Sequence, residues 1–221
     1  MRVRIAFALA LAFVASSLLF GRPARAQHAV TLDVGISSSG RFFAAVANDG
    51  HSPVAVQSLI LSACDATGRT IVRVEKRLRS PKTIWPDSAR VARFGPRIGD
   101  PRAIALFEAY LFDPVSSLLA ADVWAPEVSV RINGFDDDDR PCVEFTNETS
   151  SDRVVSAQSQ VIYRRGNKGI NVDHPGFNLP AGESSGEIYL QDFVVEGATV
   201  IIRAFDAERN EIGKGERKHT P

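Results

Sequence analysis

Metal-ligand clusters and long apolar segments are both scarce in this chain of 221 residues. Beyond the N-terminal region, no apolar run approaches the roughly 20 residues that a transmembrane helix needs. None of the four histidines has a helical i, i+4 partner or a cysteine at ligand spacing, so no structural zinc site is predicted. No glycine-rich loop opens a helix, and we therefore predict no phosphate cradle and no cofactor. The histidines are His28, His51, His174 and His219.

Positive charge is not in excess. The chain has 26 basic and 26 acidic residues, and four of the basic ones are arginines within residues 1–26. Without those four, 22 basic and 26 acidic residues give a net charge of −4. Residues 27–125 carry 11 basic and 9 acidic groups, whereas residues 126–221 carry 11 and 17. A nucleic-acid partner is not predicted, because it requires a concentrated positive field. The opposite net charges, +2 and −6, predict either attraction between the two halves or two distinct faces.

The N-terminus has the three parts of a secretory signal peptide. Arg2 and Arg4 form a basic start, and Ile5–Phe20 is an uncharged apolar run. Ala24-Arg25-Ala26 then provides a small-x-small cleavage site, so we expect a mature chain that starts at Gln27. The alternative is an uncleaved anchor, but sixteen apolar residues fall short of the roughly 20 that span a bilayer. We therefore expect a periplasmic or secreted protein.

The remainder of the sequence repeats with an offset of 93 to 99 residues. The paired segments are Val30–Val34 with Val128–Ile132, Ala47–Asp49 with Thr146–Glu148, Trp85–Asp87 with Leu179–Ala181, and Phe112–Asp113 with Phe205–Asp206. A nearly constant offset is typical of a duplicated domain. It predicts two domains, residues 27–125 and residues 126–221, each near the size of an immunoglobulin-like sandwich.

Apolar and polar residues alternate along both halves, which indicates strands rather than helices. Val30, Leu32 and Val34, for example, fall on one face of a strand. The other predicted strands are Phe42–Ala47, Val54–Ser62, Thr70–Leu78, Ala89–Phe94, Ile104–Phe112, Val128–Ile132, Cys142–Thr146, Val154–Tyr163, Gly169–Val172, Glu187–Leu190 and Thr199–Phe205. Turn-forming residues separate them, so the predicted fold is all-β, with two tandem immunoglobulin-like β-sandwiches. Ser116–Ala121 is either a helical turn or a strand, Trp124–Pro126 is the linker, and the chain beyond Lys214 is a charged, frayed tail.

Turn residues carry a resemblance to a known family. Val46-Ala47-Asn48-Asp49-Gly50 in the first half and Leu179-Pro180-Ala181-Gly182-Glu183 in the second resemble the turns of bacterial immunoglobulin-like or fibronectin-III-like domains of the CARDB kind. The first half departs from the pattern at Trp85-Pro86-Asp87-Ser88, which lacks the glycine. The resemblance implies exported β-sandwich domains, and such domains serve as spacers, adhesive modules or subunits.

Six cations within fourteen residues form the first candidate site: Arg69, Arg73, Lys76, Arg77, Arg79 and Lys82. On an edge strand, such charges discourage aggregation with other strands. They can equally form a docking face for an acidic partner or an anionic envelope surface. Val74, together with Ile71 or Val72, is expected to face inward.

Four consecutive carboxylates, Asp136, Asp137, Asp138 and Asp139, form the second candidate site, in a predicted hairpin. A hard cation such as calcium would relieve their mutual repulsion. An EF-hand is excluded, because its register places Cys142 at the obligatory glycine position. A calcium site of another kind and a merely solvated acidic turn both stay open.

Cys64 and Cys142 are predicted to stay unpaired. If the two domains stack end to end, the strands carrying these residues lie at opposite poles, and a disulfide needs α-carbons within about 7 Å. A disulfide would instead require halves that lie side by side.

The function predicted from these features is a non-enzymatic binding, scaffold or accessory subunit whose partner is an envelope protein. The alternative is a periplasmic assembly chaperone that uses strand addition. A third possibility is an enzyme whose site is not visible in the sequence. The nucleophile-elbow pattern Gly182–Gly186 does not support it, because the chemistry needs a helix where a strand is predicted.

Overall fold

The computed structural model describes residues 30–100 and 103–220, and the predicted leader over residues 1–26 lies outside them. The described chain is all-β. Its fourteen strands are β1 (Val30–Ser37), β2 (Arg41–Asn48), β3 (Val54–Cys64), β4 (Thr70–Ile84), β5 (Ser88–Arg97), β6 (Leu106–Phe112), β7 (Leu118–Trp124), β8 (Val128–Phe135), β9 (Pro141–Asn147), β10 (Arg153–Ile162), β11 (Lys168–Leu179), β12 (Ser184–Tyr189), β13 (Thr199–Phe205) and β14 (Glu211–Lys218). In the described part, no helix is long and apolar enough to cross a membrane.

The strands form three sheets with a repeated connectivity. We call strands β1 to β7 the first half and strands β8 to β14 the second half. In the first half, β4-β3-β6-β7 form one sheet, and β1, β2 and β5 lie side by side in another. The second half repeats this order with β11-β10-β13-β14 and β12-β9-β8. Strand β14 pairs in parallel with β1, Ile36 opposite Gly215 and Ser37 opposite Glu216, so one seven-stranded sheet runs through both halves.

The alternation of inward and outward side chains along the strands produces two separate cores. Val30, Leu32 and Val34 face the first core, where they pack with residues such as Phe107 and Trp124. The second core contains the corresponding alternating residues of β8, β10 and β13. One face of the seven-stranded sheet supplies residues to both cores, as expected for strands with a period of two.

The opposite face of the seven-stranded sheet joins the halves. Phe43, Ala45 and Ala47 on β2 form a third buried cluster with Ile162 and Ile201 of the second half. The two ends of the sheet also meet, because a bridge links Ser88 to Asn167 and the Ala89 amide donates to the Gly166 carbonyl at 2.7 Å. The expectation that the halves stack end to end is therefore wrong: they lie side by side. Cys64 and Cys142 are nevertheless free and buried, as predicted.

Two asparagines show why the halves fold alike. The Asn48 side chain donates to the carbonyls of Ser52 and Ile84, at 2.8 and 3.0 Å. The Asn147 side chain donates to the carbonyls of Ser151 and Leu179, at 2.9 and 3.0 Å. Both amides are fully buried, so each fixes the turn after its strand and ties it to a distant strand end.

The structure decides between two alternatives and corrects two predictions near strand ends. Of the two alternatives for Ser116–Ala121, the strand is observed, because these residues run into β7. Trp124 is the buried last residue of that strand rather than part of a linker. The chain beyond Lys214 is not a frayed tail, because β14 lies between β13 and β1 and its Glu216 is 1% exposed. Its charged residues suggest solvation, but Glu216 pairs with Arg93 and Arg217 donates to the Ile132 carbonyl.

Candidate functional site

The basic strand predicted from the sequence lies at a sheet edge. Strand β4 is terminal in its four-stranded sheet, and within residues 30–100 and 103–220 it pairs only with β3. Five of the six cations are exposed and form no ion pair within the residues that the structure describes: Arg73, Lys76, Arg77, Arg79 and Lys82. The sixth, Arg69, differs because its Nε lies 3.1 Å from Asp65 Oδ2 in the preceding turn. We call the five free residues the basic edge.

Two bulges interrupt strand β4, one at Ile71 and a larger one further along. Arg77 lies opposite Ser58 and Lys82 opposite Val56, so residues 78–81 bulge out opposite Gln57. The Gln57 side chain donates to the Leu78 carbonyl within this bulge. A bulge, a proline at position 81 and cations are devices that limit edge-to-edge pairing. Pairing by strand addition is therefore favoured along the regular stretch of residues 72–77.

Strand β4 has two inward-facing valines. Val72 and Val74 pack against the first core, whereas Ile71 is 37% exposed. The cations therefore lie on a strand that packs against the rest of the first half on one side. This geometry leaves their charged groups free to meet an anionic surface.

The acidic run is a hairpin turn between β8 and β9, as predicted. The Asp136 carboxylate accepts hydrogen bonds from the backbone amides of Asp138 and Arg140, at 3.0 and 2.8 Å. Burial alone would raise the pKa of Asp136, but hydrogen bonds from Arg140 and Asp138 hold it below its usual range. Asp139 adopts a positive φ of 60° and lies 3.4 Å from the His219 imidazole.

Three other hairpins share this turn, with an aspartate first and a positive φ in the fourth residue. They begin at Asp65, Asp113 and Asp206, and their fourth residues are Gly68, Ser116 and Arg209. Asp136 therefore has a structural role, in which its side chain caps the turn. No group of three or more potential metal ligands occurs in the described parts of the chain.

Sequence reasoning missed a buried Ser–His–Asp cluster. Ser159 on β10, His174 on β11 and Asp192 in the loop after β12 converge, with His174 Nε2 at 2.9 Å from Ser159 Oγ and 3.0 Å from Asp192 Oδ2. The sequence places Asp173-His174-Pro175 in a loop, but these residues belong to β11. The three residues are separated by at least 15 positions, so no local pattern indicates their contact.

The cluster lacks the arrangement of a nucleophile and its base. In a catalytic triad, one imidazole nitrogen faces the serine and the other faces the carboxylate. Here Nε2 contacts both, and the Ser159 hydroxyl itself donates to Asp192. Ser159 is also fully buried. The arrangement anchors the segment before Phe193 to the sheet.

A second missed feature is a buried charge network between the halves. The Lys214 ammonium lies 3.2 Å from Asp33, 2.9 Å from Asp122 and 2.7 Å from Glu211. The Arg203 guanidinium also binds Asp33, through Nε at 3.0 Å and Nη2 at 2.6 Å. We call these five residues the junction network. Because Asp33 and Asp122 belong to the first half, the network holds the halves in one arrangement.

In most of these ion pairs, the half that contributes the acid is not the half with the negative net charge. The more basic first half contributes acids to the pairs Asp33–Arg203, Asp33–Lys214 and Asp122–Lys214. The pair between Arg93 and Glu216, at 2.9 Å from Nε to Oε2, does follow the net charges of the halves. Attraction between the halves therefore comes from individual buried ion pairs, and the net charges of +2 and −6 do not predict which half supplies each acid.

Burial and charge shift the pKa values of the junction network in opposite directions. Burial would raise the pKa of Asp33, but Lys214 and Arg203 hold it well below its usual range. Burial raises the pKa of Glu211 to about 7, against the opposing charge of Lys214 and with the help of Asp122. The pKa of Asp122 is also raised, mainly by burial.

The raised pKa of Glu211 predicts that stability falls as pH rises through 7. Because the folded pKa of Glu211 exceeds its unfolded value, its contribution is complete below about pH 4.5 and is lost as pH rises through 7. We expect the free energy of unfolding to fall from pH 5 to 8 by on the order of 3 kcal/mol through this group. Glu211→Gln should reduce that slope in urea unfolding series. Equal slopes for both proteins would contradict the raised pKa.

A cleft of about 360 Å³ lies where the halves meet. Ile36 and Ser38 line one wall, Val128 and Arg131 line another, and Trp124 lies among the lining residues. The Trp124 indole donates to the Val34 carbonyl at 3.0 Å, which fixes the ring. The cleft is mainly a consequence of how the halves pack, and the basic edge does not line it.

Neither a protein-family model nor a curated protein matches the sequence. Among solved structures, red sea bream transglutaminase is similar with a TM-score of 0.30 and 11% identity, over 91% of this chain and 32% of that one. Bacteroides uniformis beta-glucuronidase gives 0.29 and 10%, over 81% and 26%. Amycolatopsis orientalis exo-chitosanase CsxA gives 0.31 and 13%, over 85% and 26%. The chain spans about a third or less of these proteins, and at such scores none bears on its activity.

Proposed function

We propose that this protein is an exported, non-enzymatic binding, scaffold or accessory subunit that acts through protein–protein contacts in the bacterial envelope. The basic edge is the observation that carries the proposal. Its five cations are exposed and unpaired within the described residues, although acids elsewhere in the chain form many ion pairs. An acidic partner would complement these charges, which favours fast and specific association.

The proposed architecture is two tandem immunoglobulin-like sandwiches, residues 27–125 and 126–221, left after removal of the leader over residues 1–26. The repeated strand order and the equivalent bonds of Asn48 and Asn147 support this division. The junction network supports a rigid unit, since it connects β1 and β7 to β13 and β14. A rigid platform loses little conformational entropy on binding.

The second candidate is an assembly chaperone that pairs its edge strand with a client. The open edge of β4 over residues 72–77 favours it, because unpaired backbone groups there can accept another strand. The bulge at residues 78–81 shortens the available edge. A chaperone would capture many unfolded subunits, whereas an accessory subunit would capture one folded partner in a fixed ratio.

The basic edge can be tested by reversing Arg73, Arg77 and Arg79 to glutamate. We expect at least about a tenfold loss of partner capture from envelope extract, with weaker dependence on salt. Folding should be unchanged, since exposed substitutions usually alter stability by less than about 0.5 kcal/mol. The control reverses three exposed cations elsewhere, Arg164, Arg165 and Lys218, and should retain capture.

A different outcome would assign partner binding to the acidic turn. If the triple reversal leaves capture intact while neutralising Asp136–Asp139 abolishes it, the partner binds the acidic turn and the basic edge is only edge protection.

A further inference from the structure

The junction network contains more acidic groups than basic ones. Its carboxyl groups are those of Asp33, Asp122 and Glu211, and its cations are Lys214 and Arg203. With every group ionised, three negative and two positive charges would leave a net charge of −1. Because these side chains are largely buried, water offsets little of that charge, and an uncompensated buried charge is unfavourable. The network becomes neutral when one carboxyl group holds a proton.

Several cations near the network have acidic partners of their own, so they add no net charge to it. The pairs are Arg93 with Glu216, Lys168 with Asp49, Arg153 with Glu127 and, in the turn before β14, Arg209 with Asp173. Asp206 in that turn accepts hydrogen bonds from Asn210. Arg131 and Glu148 line the nearby cleft with opposite charges, and Arg131 is exposed to water. A proton is therefore the positive charge that balances the network.

Glu211 is the group that holds this proton. Burial raises its pKa to about 7, and Asp122 adds to the increase, whereas Lys214 opposes it. Asp33 stays ionised, because Lys214 and Arg203 hold its pKa well below its usual range. The Glu211 side chain is 21% exposed, compared with 12% for Asp33 and 15% for Asp122. Of the three carboxyl groups, Glu211 therefore has the shortest way to water when it loses its proton.

One backbone hydrogen bond connects the Glu211 end of β14 to the wall of the cleft. The Glu127 amide donates to the Ile212 carbonyl at 2.8 Å. Pro126 and Val128, on either side of Glu127, both line the cleft. The pairing of β14 with β13 is also irregular at Glu211, where the register shifts. A displacement of Glu211 can therefore reach the cleft without disturbing the regular part of the sheet.

We propose that the junction network is a proton-controlled switch, which holds the cleft narrow while Glu211 is neutral and releases one wall of it when Glu211 is ionised. Glu211 is neutral below about pH 7 and ionised above it. Once ionised, its carboxylate moves away from Asp33 and Asp122 toward water, because like charges repel at short range. The hydrogen bond between Glu127 and Ile212 then opens. The change is local, since the Phe43 cluster joins the halves independently of the network.

Trp124 reports the state of the cleft, because it lines the cleft and its ring centroid lies 5.4 Å from the Lys214 ammonium. The chain has two tryptophans and Trp85 is 62% exposed, so Trp85→Phe leaves Trp124 as the single fluorophore of this kind. In that variant, we expect acrylamide quenching to increase at least about threefold between about pH 5.5 and 8.5, with unchanged far-ultraviolet circular dichroism. Adding Glu211→Gln should abolish the increase. Adding His219→Gln instead should retain it, which excludes the histidine next to β14 as the titrating group.

Amide hydrogen exchange separates this local opening from a general loss of stability. The Ala89 amide is the matched control, because it donates to the Gly166 carbonyl at another contact between the halves. At about pH 8, the Glu127 amide should exchange faster in the wild-type protein than in Glu211→Gln, by a factor at least about tenfold larger than for Ala89. Acceleration of both amides by the same factor would mean that ionised Glu211 only lowers global stability, and the inference would be wrong. It would also be wrong if the quenching increase persisted in Glu211→Gln.

Discussion

Replacing Gly213 with alanine should destabilise the protein by at least about 2 kcal/mol, because β8 lies directly on the backbone of β14. A Cβ at position 213 would collide with the Val128 carbonyl oxygen and lie 3.1 Å from Val130 Cγ2. At Gly215 it would lie 2.5 Å from the Val130 carbonyl oxygen. Neither oxygen can rotate away, because both belong to the backbone of a paired strand. Relief would require β8 to move off β14.

The measurement is urea unfolding followed by far-ultraviolet circular dichroism. Gly134→Ala is the matched control, since Gly134 lies in β8 itself and an added Cβ there would meet no atom within 4 Å. We expect the control to unfold near the wild-type midpoint and Gly213→Ala at a clearly lower urea concentration. Equal midpoints would show that the close approach of the two strands is wrong.

Local patterns predicted the strands well because the cause of a strand is local. Alternation at Val30, Leu32 and Val34 needs only one buried face, and the structure buries all three residues. The paired asparagines are also visible in the sequence, since each follows an apolar strand and precedes a turn. The edge position of β4 was predictable too, because clustered cations are typical of edges.

Contacts between the halves could not be predicted in this way. Asp33 and Lys214 are 181 positions apart, and each looks like an ordinary surface charge in its own segment. Strand β14 resembles a solvated tail for the same reason. Its glycines are needed because the β8 backbone lies against them, and its pairing with β1 is seen only in the tertiary structure. Buried ion pairs follow the tertiary arrangement, which no local periodicity encodes.

The same limit applies to the candidate site. The basic edge was found because its members are neighbours in sequence. The Ser–His–Asp cluster was missed, because Ser159, His174 and Asp192 come from three separate segments of the chain. The acidic run illustrates the converse, since adjacent carboxylates suggest an ion site and yet Asp136 is used within its own turn.

Removing the Lys214 side chain should have the largest effect of any single change in the junction network. Lys214→Ala leaves Asp122 and Glu211 buried without their cation, and loss of one partner from a buried pair costs about 3 to 5 kcal/mol. Asp33 keeps Arg203, so the junction network then joins β1 to the second half through a single guanidinium, beside the short β1–β14 ladder. We expect lower stability and separate unfolding of the two halves.

Calorimetry distinguishes this result from a general loss of stability. The wild-type protein should unfold in one transition, because the junction network and the Phe43 cluster couple the halves. Lys214→Ala should give two transitions, whereas Lys218→Ala, on the same strand but exposed, should keep one transition at the wild-type temperature. The coupling depends on Lys214 in particular because its ammonium contacts acids of both halves at once. A single unshifted transition in Lys214→Ala would mean that the apolar cluster alone holds the halves together.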